Sequence, residues 1–169
     1  MSGGEVVSVN LGETKVSTDP VATMVCFGLG SCVGLAAYDP KARVAGLVHV
    51  VLPVRGEDQR QAKPDSSALL GRFADTAVPH LIALMEAQGA SRRYLTVKLA
   101  GGAQMFAFPG SGLWEIGQRN IAAVREALAA AGLRPAAEDV GGGSGRTLRL
   151  SVGNGRVTVS AVGRGEREL

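Results

Sequence analysis

The chain has 169 residues, 46% of them hydrophobic and 20% charged, a composition of one soluble globular domain rather than of a disordered segment. Its net charge of +3 comes without a Lys/Arg run and without arginines interleaved with aromatics, which argues against a nucleic-acid platform. No stretch approaches about 18 consecutive apolar residues, and the start "MSGGEVVSVN" lacks a basic segment followed by an apolar one. Neither membrane insertion nor a secretory leader is therefore expected, and the expected compartment is the cytoplasm.

Only 4% of residues are aromatic, so the core must be built from Val, Leu, Ala and Ile, while 24 glycines imply frequent turns. "EVVSVNLGE" (5–13) alternates apolar and polar residues as an edge strand does. "ATMVCFGLG" (22–30) is an apolar run ending in glycines, the pattern of a buried strand entering a tight turn. "VGLAAYD" (33–39) and "VAGLVHVVLP" (44–53) are predicted strands on either side of "DPKAR", where Pro40 presets φ for the second turn position. Together they read as a hairpin. The polar stretch "VRGEDQRQAKPD" (54–65) reads as a surface loop, with Asp65 or Ser66 as N-cap of a following helix. Leu69, Phe73, Leu81, Leu84 and Met85 share one face of that helix. Pro79 is expected to kink or split it, and Gly89 to end it. "YLTVKLAGGA" (94–103) is a strand running into a glycine turn, and "GQRNIAAVREALAAAGL" (117–133) a helix burying Ile121, Val124 and Leu128 and stopping at Gly132. Strands return between Arg134 and Val162, with Asn154-Gly155 expected as the type I′ turn of a hairpin. "GRGEREL" (163–169) is expected to be a flexible tail, leaving 1–162 as a single domain. Hairpins mixed with two helices give the fold class α+β.

Few residues carry chemistry. There are two cysteines, Cys26 and Cys32, and two histidines, His49 and His80. Their spacing is neither CxxC nor HxxxH, so no metal and no cofactor is expected. A Cys26–Cys32 disulfide is disfavoured in a reducing compartment. Cys32 follows "GLGS", where glycines permit a sharp turn that projects one side chain. Such a turn leaves backbone N–H groups around Gly30, Ser31 and Cys32 free to face a developing oxyanion. A thiol needs a base to act near neutral pH. A hairpin that pairs Asp39 with Ala42 sets Cys32 opposite His49, one cross-strand distance away. From the residues alone, two interpretations stand. Cys32 and His49 are nucleophile and base, or they are a small buried hydrophobe and a histidine held by a core hydrogen bond. His80, beside Pro79, reads as surface or structural. Met105 and Phe106 follow a glycine turn and read as contacts to a partner or substrate helix, or as core. "GGGSG" (141–145) lacks the phosphate-loop pattern and reads as a turn near the site. Gln118, Arg119 and Asn120 read either as the start of a helix or as lining of a substrate groove.

"GLGSCVGLAAYDP" followed by "AGLVHVVLP", "KLAGGAQMF", "IGQRNIAAV" and "EDVGGGSGR" resembles the CheD family of chemoreceptor glutamine deamidases, over a span from about Glu5 to Val162. The resemblance implies a protein-glutamine glutaminase that deamidates glutamines on the cytoplasmic helices of methyl-accepting chemoreceptors through a Cys-His thioester mechanism, with a methylesterase side activity. It also implies a partner, a CheC-type phosphatase, and a fold similar to the cytotoxic necrotizing factor catalytic domain: layered mixed β-sheets flanked by helices. By the resemblance, Cys32 is the nucleophile and His49 the base. The family's third polar residue is a Thr six positions before the nucleophile, where this chain has Cys26. A thiol is a weak hydrogen-bond partner, so either Cys26 orients the imidazole poorly, or Thr23 or a backbone carbonyl does so, or Cys26 is core filler. The competing expectation is an adaptor that mainly binds the phosphatase, with a vestigial deamidase site.

Overall fold

The computed structural model describes residues 3–56, 70–105 and 115–169. In chain order these form strands β1 (Val6–Ser8), β2 (Thr14–Ser17), β3 (Thr23–Leu29), β4 (Val33–Asp39) and β5 (Val44–Val50), then helix α1 (Ala74–Ala87) and a 3-10 turn at Arg92–Tyr94. Strand β6 (Thr96–Gly101), helix α2 (Ile116–Ala130), and strands β7 (Pro135–Val140), β8 (Arg146–Ser151), β9 (Val157–Ala161) and β10 (Gly165–Glu168) complete them. The strands make two five-stranded sheets, ordered β1-β3-β8-β9-β10 and β2-β5-β4-β6-β7. The pairs β1–β3 and β6–β7 are parallel and the others antiparallel, so both sheets are mixed. The architecture is α+β. No helix among the described residues is long and apolar enough to cross a membrane.

Period-two alternation sets the layers. On β4 and β5, Val33, Leu35, Val44, Val48 and Val50 face the helices and meet Val78, Leu81, Met85, Val124 and Leu128. Cys32, Ala36, Ala45 and Leu47 face the other way and pack with Met24, Cys26, Leu148 and Leu150 of the first sheet. The second sheet is thus buried on both faces, which is why β4 and β5 read as nearly continuous apolar runs. Each fully buried Val or Leu contributes about 1.5–3 kcal/mol of transfer free energy.

Several expectations need correction. "EVVSVNLGE" is not one strand: β1 joins the first sheet, the chain turns at Leu11–Gly12, and β2 joins the second. Glu13 N–H closes that turn on the Asn10 carbonyl at 2.9 Å. Phe73 does not lie within the helix; it is extended, caps α1 and bridges to Leu52. Asp65, Ser66 and Leu69 lie outside the described residues. Pro79 sits inside α1 without splitting it, forgoing only the N–H that would reach the Asp75 carbonyl. Leu84 is only half-buried, and Ile82 takes its place on the buried face. The β8–β9 hairpin forms, but Leu150 pairs with Val157 and the Ser151 N–H bonds the Arg156 carbonyl, so the loop has four residues. Only Gly155 in it has positive φ, so Asn154-Gly155 is not a type I′ turn. Val152 explains the longer loop: it is buried in the core and donates to the Ala22 carbonyl at 3.0 Å.

The expected flexible tail at 163–169 is also corrected. Its polar sequence carries no apolar pattern, yet β10 pairs with β9 through backbone bonds. Arg167 reaches Asp139 at 2.9 Å, Glu168 reaches Arg156 at 2.9 Å, and Lys98 Nζ donates to the Leu169 carbonyl at 2.6 Å. Ladder bonds and ion pairs hold an element that hydrophobic periodicity cannot reveal.

Candidate active site

The β4–β5 hairpin forms in a different register from the one expected. Asp39 pairs with Val44, and Gly34 stands opposite His49. The connection is therefore four residues, Pro40 to Arg43. A two-residue hairpin loop needs positive φ at its first position, which the Pro40 ring forbids. Arg43, at φ 55, supplies positive φ at the end of the loop instead. The Asp39 carboxylate accepts the Lys41 and Ala42 N–H groups at 2.8 and 3.1 Å, which tightens the turn. The slip is two residues, so no side chain changes face. Cys32 remains on the face of His49 but becomes its diagonal rather than its direct neighbour. Diagonal pairs lie about 7–8 Å apart, within reach of long side chains. Leu29 and Leu148 occupy the space where a Cβ at Gly34 would project.

His49 is 2% exposed and faces the space between the sheets. The β1–β2 crossover passes over it. Its backbone N–H donates to the Glu13 carbonyl at 3.1 Å, and its carbonyl accepts the Gly12 N–H at 2.9 Å. Its Nδ1 lies 3.1 Å from the Val9 carbonyl. A carbonyl only accepts, so Nδ1 carries the proton and Nε2 the free lone pair. Nε2 is buried with no partner among the described residues. Burial pushes the imidazole below its usual 6.5, against the opposing pull of the Val9 carbonyl and Glu13. It is therefore neutral near pH 7, the form that can accept a proton. A depression of about 420 Å³ opens here, lined by Val9, Asn10, Leu11, Phe27, Gly28 and His49, with Leu11 and Phe27 exposed on its rim.

The Gly30–Cys32 turn is held by its carbonyls. Gly30 O accepts from Ala103 N–H, Ser31 O from Asn120 Nδ2 and Cys32 O from Gly102 N–H, each at 2.8 Å. The contacts demand glycine: Gly101 has φ +112 and a Cβ there would overlap the Cys32 carbonyl. Cys32 is 9% exposed. Burial raises its thiol above the ordinary value, and its own N–H, bonded to the sulfur, partly offsets this. Met105, 49% exposed, packs over the turn, its Cγ 3.2 Å from where a Gly30 Cβ would stand. Phe106 lies outside the described residues. The glycine loop at 141–145 abuts the same place, since Gln104 N–H donates to the Gly142 carbonyl at 2.7 Å.

Cys26 is fully buried on β3, paired with Leu148. Burial, and then the nearby Cys32, drive its thiol far up. Thr23 stands at the start of β3, paired with Val6 and Ser151. The group bonded to the imidazole is the Val9 carbonyl. Both cysteines are free thiols. His80 lies on α1, which packs on the opposite face of the second sheet. Among the described residues no group of three or more His, Cys, Asp or Glu is arranged to hold a metal ion.

Sequence reasoning offered a backbone carbonyl as one possible partner of the imidazole without pointing to Val9, and it missed the Leu11–Phe27 rim and the role of Asn120. Only Asn120 left a signal. It falls in the buried stripe Gly117, Asn120, Ile121, Val124, Leu128 of α2, a polar residue at a core position.

The family model for CheD chemotactic sensory transduction matches residues 51–161. A Symbiobacterium thermophilum protein named "Probable chemoreceptor glutamine deamidase CheD" is 50% identical over 171 residues, covering 100% of both chains. "Chemoreceptor glutamine deamidase CheD" of Halalkalibacterium halodurans is 39% identical over 166 residues, covering 98% of this chain and 99% of that one. Among solved structures, a Neisseria meningitidis protein of family DUF152 aligns at 12% identity with a TM-score of 0.48, over 83% of this chain and 64% of that chain. That likeness is too slight to bear on function.

Proposed function

The chain belongs to the CheD family, and from that premise we propose that it is a chemoreceptor glutamine deamidase working through Cys32 and His49. One observation carries the mechanism. A neutral imidazole, fixed through Nδ1 by the Val9 carbonyl, keeps its Nε2 lone pair free on the face and diagonal of Cys32. Because burial raises the Cys32 thiol, the proton leaves during attack rather than beforehand. Nε2 takes it as the sulfur bonds to the side-chain carboxamide carbon of a receptor-borne glutamine. The oxyanion is met by backbone N–H groups of the Ser31–Cys32 turn, that of Cys32 foremost. Collapse breaks the C–N bond, and the leaving ammonia takes the proton from His49. Water, giving its proton to His49, then opens the thioester and restores the thiol, leaving glutamate. The chemistry requires no cofactor. A glutamyl methyl ester would enter the same thioester, so a methylesterase side activity belongs to this reading.

The Val9 carbonyl does the orienting, which leaves Cys26 as core filler. Met105, beside the turn, contributes to the surface that receives a receptor helix or a CheC-type phosphatase. The working compartment is the cytoplasm, where the receptor helices are. The layers, two mixed sheets with helices outside, correspond in this reading to the cytotoxic necrotizing factor catalytic domain, which superposition with that domain tests. A second reading, an adaptor that mainly binds the phosphatase, is favoured by Cys26 at the family's Thr position and by the raised Cys32 thiol. Incubation with a receptor cytoplasmic fragment separates the two. The deamidase reading expects glutamine-to-glutamate conversion by peptide mass spectrometry. The adaptor reading expects none, with phosphatase binding retained.

A further inference from the structure

The last ladder pair of the β4–β5 hairpin is Val33–Val50. Beyond it lie the two segments the reaction needs in register: the turn ending at Cys32, and the end of the strand that carries His49. The β4–β5 ladder no longer joins them to each other, although each is bonded elsewhere, the strand end through the Leu52–Phe73 bridge and the turn through Gly102 and Ala103, and both present carbonyls. Asn120 lies between. It is 0% exposed, and its Nδ2 donates to Ser31 O at 2.8 Å and to Val51 O at 2.9 Å. Both partners are acceptors, so the NH2 group must be the one facing them. The fit is specific in chemistry. A hydroxyl has one proton to give, a leucine of similar size has none, and an ionised aspartate would set a third acceptor against two carbonyls.

The helix bearing Asn120 is itself fixed. Gly117, one turn earlier, packs so closely that an added Cβ would lie 2.5 Å from Gly102 O and 2.6 Å from Ala103 O. The backbone N–H groups of Gly102 and Ala103 in turn hold the Cys32 and Gly30 carbonyls. The Oδ1 of Asn120 is buried without a partner among the described residues. Half of the amide goes unused in a place where an apolar residue would pack without that desolvation cost. Packing alone does not explain its presence.

We infer that Asn120 is a positioning residue that clamps the Cys32 turn to the His49 strand through the Ser31 and Val51 carbonyls. The inference rests on the Cys32–His49 reading but is separable from it. Wild type, Cys32→Ala, Asn120→Leu and Asn120→Asp are compared by kcat and KM on a receptor cytoplasmic fragment. The pH dependence of Cys32 alkylation by iodoacetamide is followed by peptide mapping in the three proteins that keep the thiol. Asn120→Leu is expected to lose kcat by about 100-fold, the effect of a misplacement near 1 Å, with KM nearly unchanged, and to shift the alkylation profile. Asn120→Asp covers the case in which the leucine variant does not fold. Its activity should stay below wild type, and the ratio should rise in any pH range where the acid becomes protonated, because the ionised form has no hydrogen to give and the protonated acid has one for two carbonyls. A folded Asn120→Leu with wild-type kcat and alkylation profile overturns the inference, as does a folded Asn120→Asp with wild-type activity throughout the pH range. Activity persisting in Cys32→Ala overturns the mechanism instead, and the alkylation profiles still decide on Asn120.

Discussion

Gly117→Ala sets two opposed effects against each other. In a helix interior Ala is favoured over Gly by about 1 kcal/mol, and Gly117 is the second residue of α2. Against this, the new Cβ would meet Gly102 O at 2.5 Å, Ala103 O at 2.6 Å and Gly102 C at 2.8 Å. An unstrained C···O contact is about 3.3 Å or more, so the helix and the loop must separate by roughly 0.8 Å. All three atoms are backbone, and none can swing aside as a side-chain end would. Overpacking of this kind costs about 1–3 kcal/mol; with no soft neighbour the upper half of that range applies, and the net loss is about 1–2 kcal/mol. For a chain of this size that lowers Tm by roughly 2–8 °C. The separation also stretches the Asn120–Ser31 bond from 2.8 Å toward the limit of hydrogen bonding, so kcat should fall with it. The assay pairs urea denaturation with deamidation of a receptor fragment. Gly143→Ala serves as control, since its Cβ would find nothing nearer than Gln104 O at 3.8 Å; its stability should stay within about 0.5 kcal/mol. A Gly117→Ala protein as stable and as active as wild type would refute the close packing of α2 on the 101–103 loop.

Three further predictions follow from burial and charge. Since His49 must be neutral and burial holds its pKa below 6.5, the acid limb of kcat/KM should lie below pH 6.5; a limb above that value contradicts the buried, neutral imidazole. The same shift means the unfolded state takes the proton first, so the stability linked to His49 is present above pH 6.5 and falls as pH drops toward the folded value. Asp139→Asn should cost about 3–5 kcal/mol in denaturant unfolding, because Arg146, bonded to Asp139 at 2.9 Å and nearly inaccessible, is left as a buried uncompensated charge. Burial opposes ionisation of Asp139, but Arg146, Arg167 and Arg164 together hold its carboxyl below its usual 3.8. Wild-type stability should therefore fall as pH drops below that value, and the variant should lack this component. Cys26→Ala should lose about 1 kcal/mol of stability from the small cavity while deamidation stays within a few-fold; loss of turnover in a folded variant would give Cys26 a part in the site.

The sequence was most legible where periodicity carries the information. β3, β4, β5 and α2 fall where apolar runs and glycines put them, and alternation together with the hairpin pairing sets Cys32 and His49 on one face. The hairpin register was within reach of the same reasoning, since Pro40 already rules out the two-residue loop that was expected. Other features left little trace. β10 is held by ladder bonds and ion pairs and has no apolar signature. The β1–β2 crossover hides inside a pattern that alternates like one strand. The imidazole's partner is a main-chain carbonyl forty positions away, and a carbonyl has no residue type. Asn120 stood out only as a polar residue at a buried helix position, a signal that marks an unusual site without telling what it binds.

The most direct test is to look for the covalent intermediate. Wild type, Cys32→Ala and His49→Ala are mixed with a receptor cytoplasmic fragment, quenched in acid at short times, and examined by intact-mass and peptide mass spectrometry. A thioester between Cys32 and a receptor glutamine side chain is expected in wild type, followed by glutamate at that position, and neither species in the two variants. Glutamate formed by Cys32→Ala at the wild-type rate would contradict the Cys32–His49 mechanism.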